Sequence, residues 1–425
     1  MIKSIYRKTV LDNGIRVVTE KINWVRSVSI GVWVDVGSRD ETPKESGVSH
    51  FIEHMAFKGT KKRSAKEIAS YLESVGGTLN AFTSREQTCF YARVLDRNLD
   101  LAVEVLSDIL LNSLFNLRDF RKEKQVIIEE IKEIEDSPAE LIQDLFMKTV
   151  WNSHPLGLPI MGDVKNIKSL TRKKLLEFMH RNYIGSKMVI AASGNLKHAD
   201  LVRMVEKKFK LDSKKIDSFS FSPPSKTGAF HRVFQRKSAQ THICLGMPCF
   251  SFSHPQRYPA VILSNILGGG MSSRLFQVVR EELGLTYNIY SFIEFFKDTG
   301  IFGVYLGTDR KQAEKSINLV LRELSKIKRN HFPKEEFMHA KDQLKGNFLL
   351  SLENTSNWMN RLARNELFLQ KCLGVEKILK MIEGVTENQV IQTANQLMNR
   401  DRISLVVLGP VGENLVKKID WDLLK

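Results

Sequence analysis

The feature that most limits what this chain can fold into is a pattern in its first half that recurs in its second. An Asp-Arg pair before an amphipathic helix occurs at residues 96–97 and again at 309–310. Two phenylalanines five residues apart occur at 115 and 120 and again at 332 and 337. Such self-similarity predicts two copies of one α/β unit.

Alternating strand and helix patterns within each half favour an α+β fold. Residues 27–36 form a β-branched, alternating run, and residues 99–111 have helical periodicity. Between the halves, residues 211–226 are rich in Ser and Lys and lack periodicity, which is typical of a linker. We therefore expect two homologous α/β domains with mixed sheets flanked by helices. The predicted ranges are 1–212 for the first domain, 213–230 for the linker and 231–425 for the second domain.

Composition limits the class of protein. The net charge of +16 is compatible either with a nucleic-acid or membrane-surface partner or with a solvated, lysine-rich surface. The lysines are scattered and are not interleaved with aromatics, so we expect no nucleic-acid partner. The chain has no apolar run long enough to cross a bilayer, no Cys-x-x-Cys pair among its four cysteines and no N-terminal signal pattern. These features predict a protein of the bacterial cytoplasm.

A short motif in the first half carries the chemistry. In a helix, His50 and His54 lie one turn apart on one face, with Glu53 beside them. Two imidazoles at that spacing can hold one zinc ion, and a carboxylate beside them can take a proton from water activated by the metal. The order His-x-x-Glu-His is a known pattern of catalytic zinc sites.

A catalytic zinc ion needs a third protein ligand, which spacing alone does not identify. The acidic helix that follows offers five glutamates, at 123, 129, 130, 133 and 135, all of which are also compatible with solvated surface charge. When the phenylalanine pairs are superimposed, Glu123 falls on Ala340 and Glu130 on Asn347. Because the second copy lacks these carboxylates, we expect the metal in the first copy.

Four segments resemble one family of enzymes. They are residues 50–60 (HFIEHMAFKGT), 76–86 (GGTLNAFTSRE), 126–131 (VIIEEI) and 268–276 (GGGMSSRLF). In this order they resemble the pitrilysin family of zinc metallopeptidases, and most closely the branch of mitochondrial processing peptidase and its bacterial relatives. The resemblance implies one Zn²⁺ per chain, with Glu130 as the third ligand, Glu53 as the catalytic base and Glu123 as an acidic neighbour supporting the site.

The resemblance also implies residues that handle the substrate. Arg280 and Tyr287 match a pair that grips the substrate and stabilises the reacting carbonyl, although a tyrosine on a strand is also compatible with a core position. Asn80 and Ala81 match an edge segment on which extended substrate adds as a strand, although they are also compatible with an ordinary turn-to-strand corner.

An acidic pair on the next helix is the remaining substrate candidate. Glu140 and Asp144, four residues apart, match positions that meet an arginine just upstream of the cut. Glu140 also fits a capping box with Ser137, which would occupy its carboxylate locally.

The resemblance finally implies an assembly. A chain of this length supplies half of a clamshell chamber that admits short or unfolded peptides. Because the zinc motif and the Arg-Tyr pair lie on one chain, a homodimer is expected. The alternatives are a peptide-holding, non-catalytic subunit of the same family and, outside the family, a basic nucleic-acid-binding protein.

Overall fold

The computed structural model describes residues 4–211, 223–224, 228–329 and 332–424. Their strands are β1 (Ile5–Val10), β2 (Arg16–Lys21), β3 (Ser27–Val34), β4 (Thr78–Thr83), β5 (Thr88–Leu95), β6 (Met188–Gly194), β7 (His231–Gln235), β8 (Thr241–Cys249), β9 (Thr286–Phe295), β10 (Gly300–Thr308) and β11 (Ser404–Gly409).

The helices of the same residues run as follows: α1 (Val48–Ala56), α2 (Ala65–Glu73), α3 (Leu99–Leu111), α4 (Leu117–Asp136), α5 (Pro138–Trp151), α6 (Val164–Ser169), α7 (Arg172–Asn182), α8 (His198–Lys208), α9 (Arg257–Gly268), α10 (Ala313–Lys328), α11 (Lys334–Ser351), α12 (Thr355–Leu369), α13 (Val375–Glu383), α14 (Glu387–Leu397) and α15 (Asn414–Lys417).

The chain divides into two compact units, each made of discontinuous segments. The first unit comprises the described residues of Met1–Lys132, Leu158–Phe221 and Ser351–Leu373, and the rest form the second. The ranges predicted from the sequence were continuous, so they differ from these units by two exchanged segments, 133–157 and 351–373. Most of the predicted linker lies outside the described residues.

A six-stranded mixed sheet organises the first unit, in the order β1-β2-β6-β3-β5-β4. Strand β3 is central in the sheet, between β6 and β5, and both of its faces are packed, with Ile30 and Val32 in one buried cluster and Trp33 in another, which explains its largely apolar run. Strand β4 is an edge strand, paired with β5 alone. The sheet therefore has an unpaired edge along β4, the strand that contains Asn80 and Ala81.

A five-stranded mixed sheet organises the second unit, in the order β7-β11-β8-β10-β9. Residues 233–247 belong to two strands, β7 and β8, which are not neighbours in the sheet because β11 lies between them. The segment from Phe276 to Glu282 is π-helical. The two units nevertheless confirm the predicted α+β class with mixed sheets.

Each sheet is covered on one face by a helix from the other half of the chain. In the first unit, α12 packs Met359 and Leu362 against Trp33, and Thr355 shares a 2.8 Å hydrogen bond with Ser29 of β3. In the second unit, α5 packs against the face of β8, β10 and β11. These exchanges account for the discontinuous segments.

Candidate metal centre

Helix α1 forms the floor of the site. Its buried apolar residues, Val48, Phe51, Ile52 and Met55, follow the i, i+3, i+4, i+7 spacing that places one face on the core. His50, Glu53 and His54 alternate with these positions. The helical placement of His50 and His54 expected from their spacing is confirmed, with Gly47 and Phe57 as the residues that flank the helix.

The N-terminus of α1 is held by a buried carboxylate. Gly47 has φ +93°, and a Cβ there would lie 2.5 Å from the Met161 carbonyl oxygen, so glycine is required. The carboxylate of Glu41 accepts hydrogen bonds from the backbone N–H groups of Gly47 and Ser49, at 2.7 and 2.8 Å. Burial raises the pKa of Glu41 to about 8, so these hydrogen bonds, rather than a negative charge, satisfy this end of the helix near pH 7. The helix start is therefore anchored just before His50.

The two histidines lie together with Glu130. Their ring centroids are 4.6 Å apart, and one ligand atom from each of His50, His54 and Glu130 lies within 4.8 Å of the others. Burial, followed by the neighbouring His54, lowers the pKa of His50 to about 3. Its imidazole is therefore neutral at pH 7, which is the form that binds a metal.

The geometry of helix α4 distinguishes among the five glutamates that are candidates for the third zinc ligand. Glu130 Oε2 lies 3.5 Å from His54 Nε2, whereas the Glu123 carboxylate accepts from His54 Nδ1 at 3.1 Å. Glu129 turns outward and pairs with Lys132. Of the five, Glu130 is thus placed to be a ligand, and Glu123 to orient His54 from the opposite ring nitrogen.

The two helices of the site are packed by stacked aromatics. Phe51 of α1 and Phe120 of α4 have ring centroids 4.8 Å apart and an interplanar angle of 5°. Because the helices meet at this contact, the turns that carry the histidines and Glu130 are held in register.

The atoms present fit a zinc ion. His50 Nδ1 and Glu130 Oε2 are buried and have no hydrogen-bond partner among the described residues. Buried polar atoms are ordinarily paired, so unpaired atoms within a group of potential ligands are expected at a metal site. Two imidazoles and one carboxylate are also a known ligand set of catalytic zinc.

Glu53 lies beside this cluster and is held by Thr83. The Thr83 hydroxyl, at the end of β4, donates to Glu53 Oε2 at 2.5 Å. Burial raises the pKa of Glu53, while the Thr83 hydrogen bond and His54 act in the opposite direction. A carboxylate in this state is suited to accept and return a proton.

The substrate-binding candidates of the first unit lie on the free edge of β4. Asn80 is exposed, and its side-chain oxygen accepts from the Ala81 backbone N–H at 2.8 Å. That N–H therefore faces the unpaired edge, where an added strand would need a donor.

Arg280 and Tyr287 belong to the second unit. Arg280 lies in the π-helical segment, with its guanidinium 4.6 Å from the Phe276 ring centroid. Tyr287, near the start of edge strand β9, is 80% exposed, so the alternative of a core aromatic is wrong. Both residues line one cavity of the second unit.

Glu140 and Asp144 lie on α5, also in the second unit. The capping box expected for Ser137 and Glu140 is not formed: Ser137 makes no side-chain capping hydrogen bond. Glu140 is exposed and Asp144 is half-buried. The Glu140 carboxylate therefore does not have the competing role in a capping box that was predicted from the sequence.

Three residues that support the site had no role in the sequence prediction. They are Glu41, Thr83 and Lys58, whose ammonium lies 2.8 Å from Glu123 Oε1. Thr83 and Lys58 fall inside motif segments, but their partners are 30 or more positions away. None of the helices in the described part of the chain is long and apolar enough to cross a membrane.

Comparison with known protein families matches two consecutive parts of the chain. A model of the insulinase family (peptidase family M16) matches residues 16–164, which include His50, His54 and Glu130, and a model of the M16 inactive domain matches residues 169–344. The inactive-domain match begins within the first unit and includes Ala340, the counterpart of Glu123.

Individual relatives align over nearly the whole chain. The uncharacterized zinc protease YmxG of Bacillus subtilis is 39% identical over 94% of this chain and 97% of its own length. An uncharacterized zinc protease of Streptomyces coelicolor is 39% identical over 97% of this chain and 91% of its own length. The crystal structure of a protease from Helicobacter pylori shares the fold, with a TM-score of 0.89 and 23% identity over 96% of this chain and all of that one. The resemblance seen in the motifs is thereby confirmed, and the chain belongs to the insulinase (M16) family of peptidases.

Proposed function

We propose that the protein is a zinc-dependent endopeptidase that hydrolyses short or unfolded peptides. The observation that carries the proposal is the cluster of His50, His54 and Glu130, with the half-buried carboxylate of Glu53 beside it. A metal site without a nearby base would suit a structural role, whereas this arrangement provides both parts of metal-assisted hydrolysis.

The residues of the first unit divide the chemistry between them. His50, His54 and Glu130 would hold a zinc ion, which would supply Lewis-acid chemistry for activating water and polarising the scissile carbonyl. Glu53 accepts the proton of the attacking water and passes it to the departing amine. Glu123 holds His54 in one tautomer, since its carboxylate can only accept from Nδ1–H.

Substrate handling completes the proposal. The free edge of β4 at Asn80 and Ala81 receives the peptide as an added strand. Arg280 and Tyr287 donate to the oxyanion of the tetrahedral intermediate. Glu140 and Asp144 recognise a basic residue near the cut, which their negative charge supports.

The proposal includes an assembly and a cellular location. A homodimer is inferred, in which each chain supplies half of a chamber that excludes folded proteins. We place this enzyme in the bacterial cytoplasm.

The decisive experiment compares wild type with Glu53→Gln in zinc analysis and a peptide digest. We expect about one zinc per chain in both proteins. The rate of Glu53→Gln should fall by a factor of about 10²–10⁴, because general-base catalysis is lost. A strong chelator should abolish wild-type cleavage. A zinc-loaded variant that cuts at the normal rate would remove Glu53 as the base.

A second variant tests the ligand set. Glu130→Gln should weaken zinc binding, because a neutral amide is a poorer zinc ligand than a carboxylate. Glu129→Gln, one residue away and solvent-facing, is the matched control. Unchanged zinc affinity in Glu130→Gln would exclude Glu130 as a ligand. Peptide binding without cleavage by zinc-loaded wild type would favour the peptide-holding role instead.

A further inference from the structure

Lys58 is connected to the metal cluster through a buried carboxylate. Its ammonium lies 2.8 Å from Glu123 Oε1, and the other oxygen of Glu123 accepts from His54 Nδ1 at 3.1 Å. The Glu123 side chain is only 8% exposed, whereas that of Lys58 is 34% exposed. Lys58 therefore interacts with the site through the Glu123 carboxylate, which has little contact with solvent.

The backbone around Lys58 is well fixed. Its N–H donates to the Met55 carbonyl at 3.2 Å, which continues the last turn of α1. The next residue, Gly59, has φ +115° and turns the chain sharply. Thr60 then anchors the turn through a 2.7 Å hydrogen bond to the buried Asp108. Lys58 is thus presented to Glu123 by a turn secured on both sides.

The orientation of His54 depends on Glu123. A carboxylate with one oxygen bound to Lys58 and the other to His54 has little freedom to rotate. It keeps the hydrogen of His54 on Nδ1 and leaves Nε2 facing Glu130, 3.5 Å away. Without Lys58, Glu123 would lose the ion pair that fixes one of its two oxygens.

We propose that Lys58 is a positioning residue of the metal centre, which raises zinc affinity by holding Glu123 against His54. The inference rests on the proposed zinc site at His50, His54 and Glu130, and concerns how that site reaches its affinity. Among the described residues, the Lys58 ammonium forms an ion pair with Glu123 and with none of the proposed ligands, so it acts through Glu123.

The proposal predicts the sign of the effect. A cation near the site repels a divalent ion directly, so removal of the Lys58 charge by itself would tighten zinc binding. Loss of an orienting neighbour has the opposite effect and typically weakens metal binding 10- to 100-fold. The two explanations are therefore separated by the direction of the change.

The test measures zinc dissociation constants by competition with a chromophoric chelator. We expect Lys58→Met to bind zinc about 10-fold or more weakly than wild type. Lys58→Arg should recover most of the affinity, because a guanidinium can keep the ion pair with Glu123. Lys62→Met, an exposed lysine in the following turn, is the matched control and should bind like wild type.

A second readout separates positioning from damage to the fold. The absorption spectrum of the cobalt-substituted protein should change in Lys58→Met and return toward wild type in Lys58→Arg. Lys58→Gln offers a second neutral variant if Lys58→Met folds poorly, as judged by the melting temperature of the metal-free proteins.

If Lys58→Met binds zinc as tightly as wild type, or more tightly, the inference is wrong. The proposed zinc site at His50, His54 and Glu130 would still stand. Lys58→Arg as weak as Lys58→Met would also overturn the inference. Wild type that binds no zinc would overturn the proposed function and this inference together.

Discussion

At the scale of single residues, the position of the Glu53 carboxylate depends on the hydroxyl group of Thr83. Thr83 donates to this carboxylate from the end of β4, so the position of the proposed base is set by a strand that is distant in sequence. A hydrogen bond to a charged group contributes about 1.5–3 kcal/mol. Displacement of the Glu53 carboxylate should therefore slow the chemical step more than it weakens substrate binding.

The corresponding prediction concerns Thr83→Val, which keeps the shape of the side chain and removes the donor. We expect kcat to fall by about 10-fold or more, with KM and zinc content near wild type. Thr83→Ser should retain most of the activity, because it keeps the hydroxyl. Thr78→Val, at the exposed start of the same strand, is the control. A Thr83→Val enzyme with unchanged kcat would contradict the role.

At the scale of elements, one backbone donor on the unpaired edge of β4 already has a hydrogen-bond partner within the strand. Asn80 accepts from the Ala81 N–H that an added strand would use, so substrate must displace this local hydrogen bond. An unpaired edge otherwise invites pairing with other chains. The side chain of Asn80 thus covers one donor without closing the edge.

Ala81→Pro tests the edge directly, since proline removes the N–H while edge strands tolerate it. We expect KM for an extended peptide to rise by about 10-fold, with zinc binding preserved. Ala81→Val keeps the N–H and should have a KM close to that of wild type. Equal KM values for the proline and valine variants would rule out strand addition at this position.

The contact between α1 and α4 is the second feature at this scale. Phe51→Ala should lower the free energy of unfolding by about 3–5 kcal/mol, because it leaves a cavity in the core. It should also weaken zinc binding, since Phe51 stacks on Phe120 between the helices that carry the proposed ligands. Phe209→Ala, equally buried at the end of α8, should destabilise the protein without weakening zinc binding in the folded state. Similar zinc affinities in the two variants would contradict a special role for the stacked pair.

At the scale of the whole molecule, burial controls the chemistry of the thiols. Cys89, Cys244 and Cys249 are buried, and Cys372 is half-buried. Burial raises the pKa of all four thiols, to about 12 for Cys249 and about 11 for Cys372. Because the thiolate is the reactive form, little of it exists at pH 8 in the folded protein.

We therefore expect slow modification of the native protein by a thiol reagent at pH 8. All four thiols should react quickly in denaturant, where their pKa values return to about 8.5. The measurement is the time course of reagent absorbance under the two conditions. Rapid reaction of any thiol in the native state would contradict the burial of that residue.

The sequence by itself determined the features that depend on neighbours within a few positions. The i, i+3, i+4, i+7 apolar spacing of α1 predicts the helix, and the i, i+4 spacing of His50 and His54 puts both on one face of it. The loss of carboxylates at Ala340 and Asn347 is likewise readable from the repeat alone. Local geometry suffices for these because helix periodicity is the same in every protein.

Only the tertiary structure decided which distant groups meet. By spacing alone the glutamates of α4 were equivalent, and only the motif resemblance implied Glu130; in the structure, Phe51 packs on Phe120 and Glu130 lies with the histidines. The partners of Glu53 and Glu123, and the exchange of α5 and α12 between halves, had no local signal. These pairings depend on where sheets and helices bury their apolar faces, which is a property of the whole chain rather than of any segment.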